Sequence, residues 1–193
     1  QQQPYPQQPY PQQQQQPYVR TREPGGTAFA EQIRSLLLTP QVEPVAVECE
    51  LLLLFAARAQ HLQQVIQPAL QAGQSVLCDR FVDASFAYQA AGRGIAPEKI
   101  QQLVDLFVPV LPQHTFWLDA PVEVGLLRAQ QRGNLDRFEQ EKVDFFEKVS
   151  VCYQQRAAAE PMRFVRLDAT QSADQVWQAA LQYLKGWFFA PAS

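Results

Sequence analysis

The sequence predicts an α/β fold in which a parallel sheet is covered by helices on both faces. Short apolar segments of strand length alternate with longer segments whose apolar residues recur at helical spacing. This alternation is typical of parallel sheets, because a helix must cross the sheet between one strand and the next. The length of 193 residues suits one domain with a sizeable core.

Four short apolar strands are expected. In chain order they span 19–21, 75–78, 115–118 and 163–167, and Asp79 and Asp119 directly follow the second and third. The carboxyl ends of parallel strands meet at one edge of the sheet, where open α/β sheets bind ligands. Polar residues that follow these strands are therefore candidates for a site.

Six helices are expected between and after the strands. They span 27–38, 45–70, 97–107, 121–132, 138–160 and 172–185. The third and fourth begin with proline, which suits a first helical turn, and Ser172 is the expected N-cap of the last. The long second helix should loosen or end near Pro68, because proline removes a backbone donor.

Residues 1–18 differ sharply in composition from the rest of the chain. They contain only Gln, Pro and Tyr, and their repeat QQPYPQQPYPQQ resembles those of cereal gluten storage proteins. Proline disfavours both helix and central strand, and glutamine offers little apolar surface to bury. We expect a disordered tract at 1–18 that packs against nothing substantial, followed by one domain at 19–193.

Charge, hydropathy and cysteine content exclude several classes of protein. A net charge of −3 shows no sign of a nucleic-acid partner. No apolar run approaches the roughly 20 residues that a membrane helix needs. Cys49, Cys78 and Cys152 are odd in number and scattered, which fits neither a disulfide framework nor metal spacing. A cytoplasmic location is expected.

The first motif of interest is Thr21-Arg22-Glu23-Pro24-Gly25-Gly26-Thr27, between a strand and a helix. Its glycines allow a tight turn close to a ligand. On spacing alone, an ordinary strand-to-helix turn explains it equally well.

The second motif pairs Phe55 with Arg58 on one face of the long helix. An aromatic ring can stack on a base while a guanidinium donates to the carbonyl edge of that base. From the residues alone, a buried Phe and a surface Arg is the better explanation. Leu54, four residues before Arg58, is the alternative to Phe55 as the residue that faces the base.

The third motif is Asp79-Arg80-Phe81 at the end of a strand, followed by the segment 84–94, ASFAYQAAGRG. Arginine offers a planar fork that suits a phosphate. Because Arg58, Arg80, Ser85 and Tyr88 follow the same edge of the sheet, we expect them to line one cleft.

The fourth motif places Arg128 and Arg132 four residues apart on a helix, with Arg137 in the Gly-containing loop that follows. Stacked like charges are unfavourable unless an anion lies between them, which suggests a phosphate. On charge alone, a solvated basic face is the simpler interpretation. A fifth, weaker motif is Asp168-Ala169-Thr170 after the last strand.

In this order the motifs resemble those of bacterial thymidylate kinases, from residue 19 to about 185. The resemblance implies a P-loop nucleoside-monophosphate-kinase fold and the reaction ATP + dTMP → ADP + dTDP, with Mg²⁺ and a homodimer. It implies that Arg128, Arg132 and Arg137 are catalytic lid residues and that Asp168, Ala169 and Thr170 contact the ATP adenine. The dTMP site that it implies comprises Arg22, Glu23, Arg34, Phe55, Arg58, Arg80, Ser85, Tyr88 and Gln89.

One element of that family has no counterpart in this sequence. The family begins with a central strand and a GxxxxGK[ST] loop that holds the ATP phosphates. The chain contains no Gly-Lys pair, and residues 1–18 contain no Gly, Lys, Ser or Thr. We therefore expect an N-terminally truncated domain with two exposed strand edges, impaired activity and no assignable metal ligand. The alternatives are a non-catalytic remnant or fusion, and another nucleotide kinase.

Overall fold

Four strands and eight α-helices form the part of the chain that the structure, a computed structural model, describes: residues 18–133 and 135–189. The strands are β1 (Tyr18–Arg22), β2 (Ser75–Asp79), β3 (Thr115–Asp119) and β4 (Phe164–Asp168). The helices are α1 (Ala28–Leu38), α2 (Val47–His61), α3 (Gln67–Gln71), α4 (Val82–Ser85), α5 (Pro97–Phe107), α6 (Val122–Arg132), α7 (Val143–Ala159) and α8 (Ala173–Phe189). Leu62–Ile66 and Phe86–Gly92 are π-helical.

The strands form two separate parallel pairs. β1 pairs with β2, with Tyr18 opposite Ser75, and β3 pairs with β4, with Thr115 opposite Phe164. Within the described residues no strand joins β2 to β3. The predicted α/β class and all four strand positions are confirmed. The sheet consists of two small parallel pairs, and among the described residues β2 and β3 each have one strand partner.

The long second helix loosens before Pro68, as expected: residues 62–66 are π-helical, and the Gln67 N–H donates to the Leu62 carbonyl. Elsewhere the helices differ from the prediction at two places. Residues 138–142 are not helical, since the Asp136 carboxylate accepts the N–H groups of Phe138 and Glu139 at 2.8 and 2.9 Å and caps a turn instead. The helical stretch at 82–92 was not predicted.

The main core lies between α2, β2, the 82–92 helical stretch and α5. Phe55, Leu62, Phe86, Ile100 and Val104 are at most 8% exposed there. A second cluster joins α1 and α2 to Phe138. These clusters hold the residues that follow β1 and β2 against the buried face of α2.

One buried carboxylate connects the two strand pairs. Asp83, in α4 just after β2, accepts hydrogen bonds from Arg163 at 2.7 and 2.8 Å and from Arg156 at 2.6 Å. Arg163 also donates to Thr115, the first residue of β3. The helix that follows β2 is thereby fixed beside the start of β3.

Of the tract predicted at 1–18, residues 1–17 lie outside the described residues, whereas Tyr18 is the first residue of β1 and pairs with Ser75. Within those that are described, no helix is both long and apolar enough to cross a membrane.

Candidate functional site

A cleft opens where β1 and β2 end, between α1, α2 and the helical stretch at 82–92. The prediction that Arg58, Arg80, Ser85 and Tyr88 line one cleft is confirmed. The complete lining is Glu23, Pro24, Arg34, Leu38, Leu54, Arg58, Arg80, Phe81, Ala84, Ser85, Tyr88, Gln89 and Phe138.

Arg80 has an unusual backbone at the base of this cleft. Its φ is +65°, the left-handed region, and it is the one such non-glycine residue among those described. That conformation costs on the order of 1–3 kcal/mol and is concentrated at functional sites. Its guanidinium lies 5.6 Å from the centre of the Tyr88 ring and forms no hydrogen bond or ion pair with the described residues. A cation of this kind is available to an anion.

Arg34 supplies a second positive charge to the cleft. Burial, together with the charges of Arg22 and Arg80, lowers the pKa of the Arg34 guanidinium, and one of its nitrogens donates to the Pro24 carbonyl at 2.9 Å. Two neighbouring cations that repel each other are stabilised by an anion between them. This part of the cleft is therefore suited to a phosphate.

A chain of buried polar groups runs behind the cleft. The Arg58 Nε donates to Glu23 at 2.7 Å, and both terminal nitrogens of Arg58 donate to Ser85 at 3.1 Å. The other Glu23 oxygen lies 3.1 Å from His61 Nδ1, and His61 Nε2 lies 2.6 Å from the Thr21 hydroxyl. All but Thr21 are at most 5% exposed. Arg58 is thus held in one orientation at the cleft wall.

The structure decides between Leu54 and Phe55. Leu54 lines the cleft, whereas Phe55 is 4% exposed and packs in the main core. Phe55 is therefore corrected from a base-contacting residue to a core residue whose ring lies 4.6 Å beneath the Arg58 guanidinium. Three aromatic rings do line the cleft: those of Phe81, Tyr88 and Phe138.

Glu50 was not among the predicted site residues. This α2 carboxylate is 1% exposed and accepts hydrogen bonds from Gln89 at 2.9 Å, Arg93 at 3.4 Å and Arg137 at 2.6 Å. A signal existed in the sequence, because Glu50, Leu54, Arg58 and His61 recur at helical spacing on one face of α2.

The three predicted catalytic arginines have three different sets of partners. The Arg137 side chain binds Glu50 and the Leu37 carbonyl, the latter at 2.7 Å, and Arg132 pairs with Glu139. Arg128 donates to the Ala169 carbonyl at 2.5 Å, so it lies beside the predicted adenine loop. Of the three, only Arg128 meets another predicted donor-site residue.

That loop is ordered by its own aspartate. The Asp168 carboxylate accepts hydrogen bonds from the Thr170 hydroxyl at 2.6 Å, the Gln171 amide at 3.0 Å and the Thr170 N–H at 2.9 Å. These bonds lower the pKa of Asp168 to about 2. Asp168 and Thr170 are exposed and open to a ligand.

Arg22 differs from the other residues of its motif. Its exposed side chain pairs with Glu31 at 3.0 Å and does not line the cleft.

Among the residues that the structure describes, no group of three or more His, Cys, Asp or Glu side chains is arranged to hold a metal ion.

Comparisons of the sequence and the fold with known proteins point to one family. A family model described as thymidylate kinase matches residues 7–180. The chain is 60% identical to the thymidylate kinase of Acinetobacter baumannii (strain AYE) over 167 residues, 86% of this chain and 84% of that protein. It is 58% identical to the thymidylate kinase of Ectopseudomonas mendocina (strain ymp), over 82% and 76%. The crystal structure of thymidylate kinase from Ehrlichia chaffeensis superposes with a TM-score of 0.69 at 30% identity, covering 87% of this chain and 80% of that one.

Proposed function

The chain belongs to the thymidylate kinase family, and on this premise we propose that the cleft binds dTMP as the acceptor of a phosphoryl group from ATP. The observation that carries the proposal is Arg80, which pairs with no residue that the structure describes and is held in a left-handed backbone just after β2, with Arg34 nearby. Its planar guanidinium suits the 5′-phosphate.

The remaining lining residues suit a pyrimidine deoxynucleoside. Arg58 offers donors for a base carbonyl and is fixed by Glu23 and Ser85. The Tyr88 ring lies near the Arg80 guanidinium, and its centre is 6.1 Å from the centre of the Phe138 ring. From the resemblance we propose that Tyr88 lies beside the deoxyribose. These roles follow from position in the cleft and from donor chemistry.

The experiment that tests this proposal compares dTMP with thymidine, by calorimetric titration of the full chain. Arg80→Gln should weaken dTMP binding by about ten- to a hundredfold, because it removes a charge-assisted contact to phosphate. Thymidine, which has no phosphate, should bind the variant and the parent equally. Arg166→Gln is the matched control, since Arg166 is exposed on β4 and pairs with Asp119 away from the cleft. Equal losses for both ligands would show that Arg80 does not hold the phosphate.

On the ATP side, we propose that Asp168, Ala169 and Thr170 contact adenine and that Arg128 lies near the donor. Arg132 and Arg137 must leave Glu139 and Glu50 before they can neutralise charge on a transferring phosphoryl group. We propose that Mg²⁺ accompanies ATP, as the resemblance implies; among the described residues no group of three or more His, Cys, Asp or Glu side chains is arranged to hold it.

We further infer that this chain by itself phosphorylates dTMP slowly, since it contains no Gly-Lys pair. Phosphoryl transfer depends on positioning and charge stabilisation, and an arginine finger alone contributes about 10³ to 10⁵ in rate. A coupled assay with ATP, dTMP and Mg²⁺ should show turnover only after a strand and a GxxxxGK[ST] loop are added to the N-terminus. Comparable turnover without them would contradict the inference, whereas dTMP binding with no turnover even after they are added would favour a non-catalytic protein.

A homodimer is proposed from the family resemblance. Light scattering should then give twice the 21.9 kDa of one chain, and a monomer mass would contradict this. The cytoplasmic location stays a prediction from cysteine usage.

A further inference from the structure

Glu50 contacts both a cleft residue and the 135–141 loop, whose Phe138 lines the cleft. Its Oε1 accepts from the Gln89 amide nitrogen at 2.9 Å, and its Oε2 accepts from Arg137 at 2.6 Å. Arg93 approaches Oε1 at 3.4 Å. Glu50 and Gln89 are only 1% and 2% exposed, so neither can exchange its partner for bulk water.

The chemistry of Glu50 leaves Gln89 one orientation. A carboxylate beside two guanidinium groups accepts hydrogen bonds and has none to donate. The Gln89 amide must therefore turn its NH₂ group towards Glu50, as the 2.9 Å contact shows. Its carbonyl oxygen points away from Glu50 and accepts no hydrogen bond from the described residues. Gln89 lines the cleft, so this oxygen is the acceptor that the amide can offer there.

We propose that Glu50 is a positioning residue that fixes the Gln89 amide, so that the cleft accepts a ring N–H and rejects a ring nitrogen acceptor. Thymine and uracil carry an N3–H donor beside the O4 acceptor, whereas cytosine carries an N3 acceptor beside the N4 donor. Arg58 can only donate hydrogen bonds, so it can bond to O4 of thymine or uracil but not to the amino group of cytosine, which is also a donor. Glu50 thereby sets the preference for dTMP over dCMP without touching the nucleotide. This inference rests on the proposed dTMP site.

The test measures binding of dTMP, dUMP and dCMP to the full chain by calorimetric titration. Glu50→Gln introduces a side chain that can donate or accept, so the Gln89 amide becomes free to flip. The preference for dTMP over dCMP should fall by about tenfold, the value of one hydrogen bond. The preference for dTMP over dUMP should not change, because both bases present the same edge. A merely structural role would weaken all three ligands equally and leave both ratios unchanged.

Two matched variants accompany this measurement. Glu48→Gln, on the exposed face of the same helix, should leave both ratios unaltered. Gln89→Met removes the amide and leaves Glu50 and Arg58 intact, so it should lower the preference over dCMP by about tenfold, the value of one hydrogen bond, even if Glu50→Gln proves unfolded by circular dichroism.

The outcomes separate this inference from the proposed function. A folded parent chain that binds none of the three nucleotides overturns the dTMP site, and this inference with it. A chain that binds dTMP and keeps its dTMP-to-dCMP ratio in the folded Glu50→Gln variant, or in Gln89→Met, overturns the role of Glu50 alone.

Discussion

At the scale of single residues, the motif glycine Gly26 serves a purpose beyond turning the chain. A Cβ built on Gly26 would lie 2.5 Å from the His61 ring, and its φ is +85°. His61 in turn contacts Glu23, which holds Arg58. Because Gly26 has no side chain, the His61 ring can lie against the backbone of the motif, where it contacts Glu23.

Gly26→Ala should destabilise the protein more than an equivalent glycine substitution elsewhere. Gly73 has a similar φ of +72° but nothing within 4 Å of its Cβ position, so Gly73→Ala should cost only the left-handed strain, about 1–2 kcal/mol. Gly26→Ala should cost a further 1–3 kcal/mol, roughly, because the His61 ring must move. Urea unfolding measures both free energies, and dTMP binding should weaken only in Gly26→Ala. Equal costs for the two variants would exclude the close approach as the reason for Gly26.

At the scale of elements, the 135–141 loop is tied to α1 and α2. The Arg137 N–H donates to the Leu38 carbonyl at 3.1 Å, and its side chain binds Glu50. Phe138 packs with Ile33 and Leu37, and the Glu141 carboxylate accepts a hydrogen bond from Arg93 at 2.5 Å. The loop is thus held by contacts with residues distant in sequence.

Removing one such tether should loosen the loop without unfolding α7. Arg137→Gln should lower the free energy of local opening by about 1–3 kcal/mol, since it breaks a charge-assisted hydrogen bond. Hydrogen exchange of the backbone amides of residues 137 and 138 should accelerate by tenfold or more, while the backbone amides within 145–155 stay protected. Arg166→Gln is the control, because Arg166 on β4 pairs with Asp119 rather than with the 135–141 loop. Faster exchange in the control alone would contradict the tether.

At the scale of the whole molecule, Asp83 joins the β1–β2 pair to the β3–β4 pair. Burial by itself would raise the pKa of this carboxyl group, but hydrogen bonds and charges from Arg163 and Arg156 hold the pKa below its ordinary value. A carboxyl group with a lowered pKa in the folded state stabilises the protein above its unfolded pKa, about 3.9. That stabilisation is lost as the pH falls through the folded-state pKa.

The free energy of unfolding should therefore decline below about pH 4, in part through Asp83. Asp83→Asn should cost about 3–5 kcal/mol at pH 7, because it leaves two arginines without their buried partner. The difference between Asp83→Asn and the parent should shrink as the pH is lowered. Asp105→Asn, which alters an exposed carboxylate on α5, should have little effect at any pH. A difference for Asp83→Asn that is constant from pH 7 to pH 3 would refute the assignment.

The sequence by itself determined where the strands lie and that four of the predicted residues meet in one cleft. Apolar runs, prolines at helix starts and aspartates at strand ends are local signals, and the residues after β1 and β2 meet because parallel strands share an edge. Arg58, Arg80, Ser85 and Tyr88 could be assigned to one cleft on that basis alone.

The tertiary structure alone decided which groups hold those residues in place. Glu50 and Arg137 are 87 positions apart, and Asp83 and Arg163 are 80 apart, so no periodicity in the chain connects them. Leu54 and Phe55 are equally apolar, and only the packing of α2 against the core turns Phe55 inwards and Leu54 towards the cleft. A buried charge is unfavourable unless it is paired with an opposite charge. Which residue supplies that opposite charge depends on how distant elements pack together, and not on neighbours in sequence.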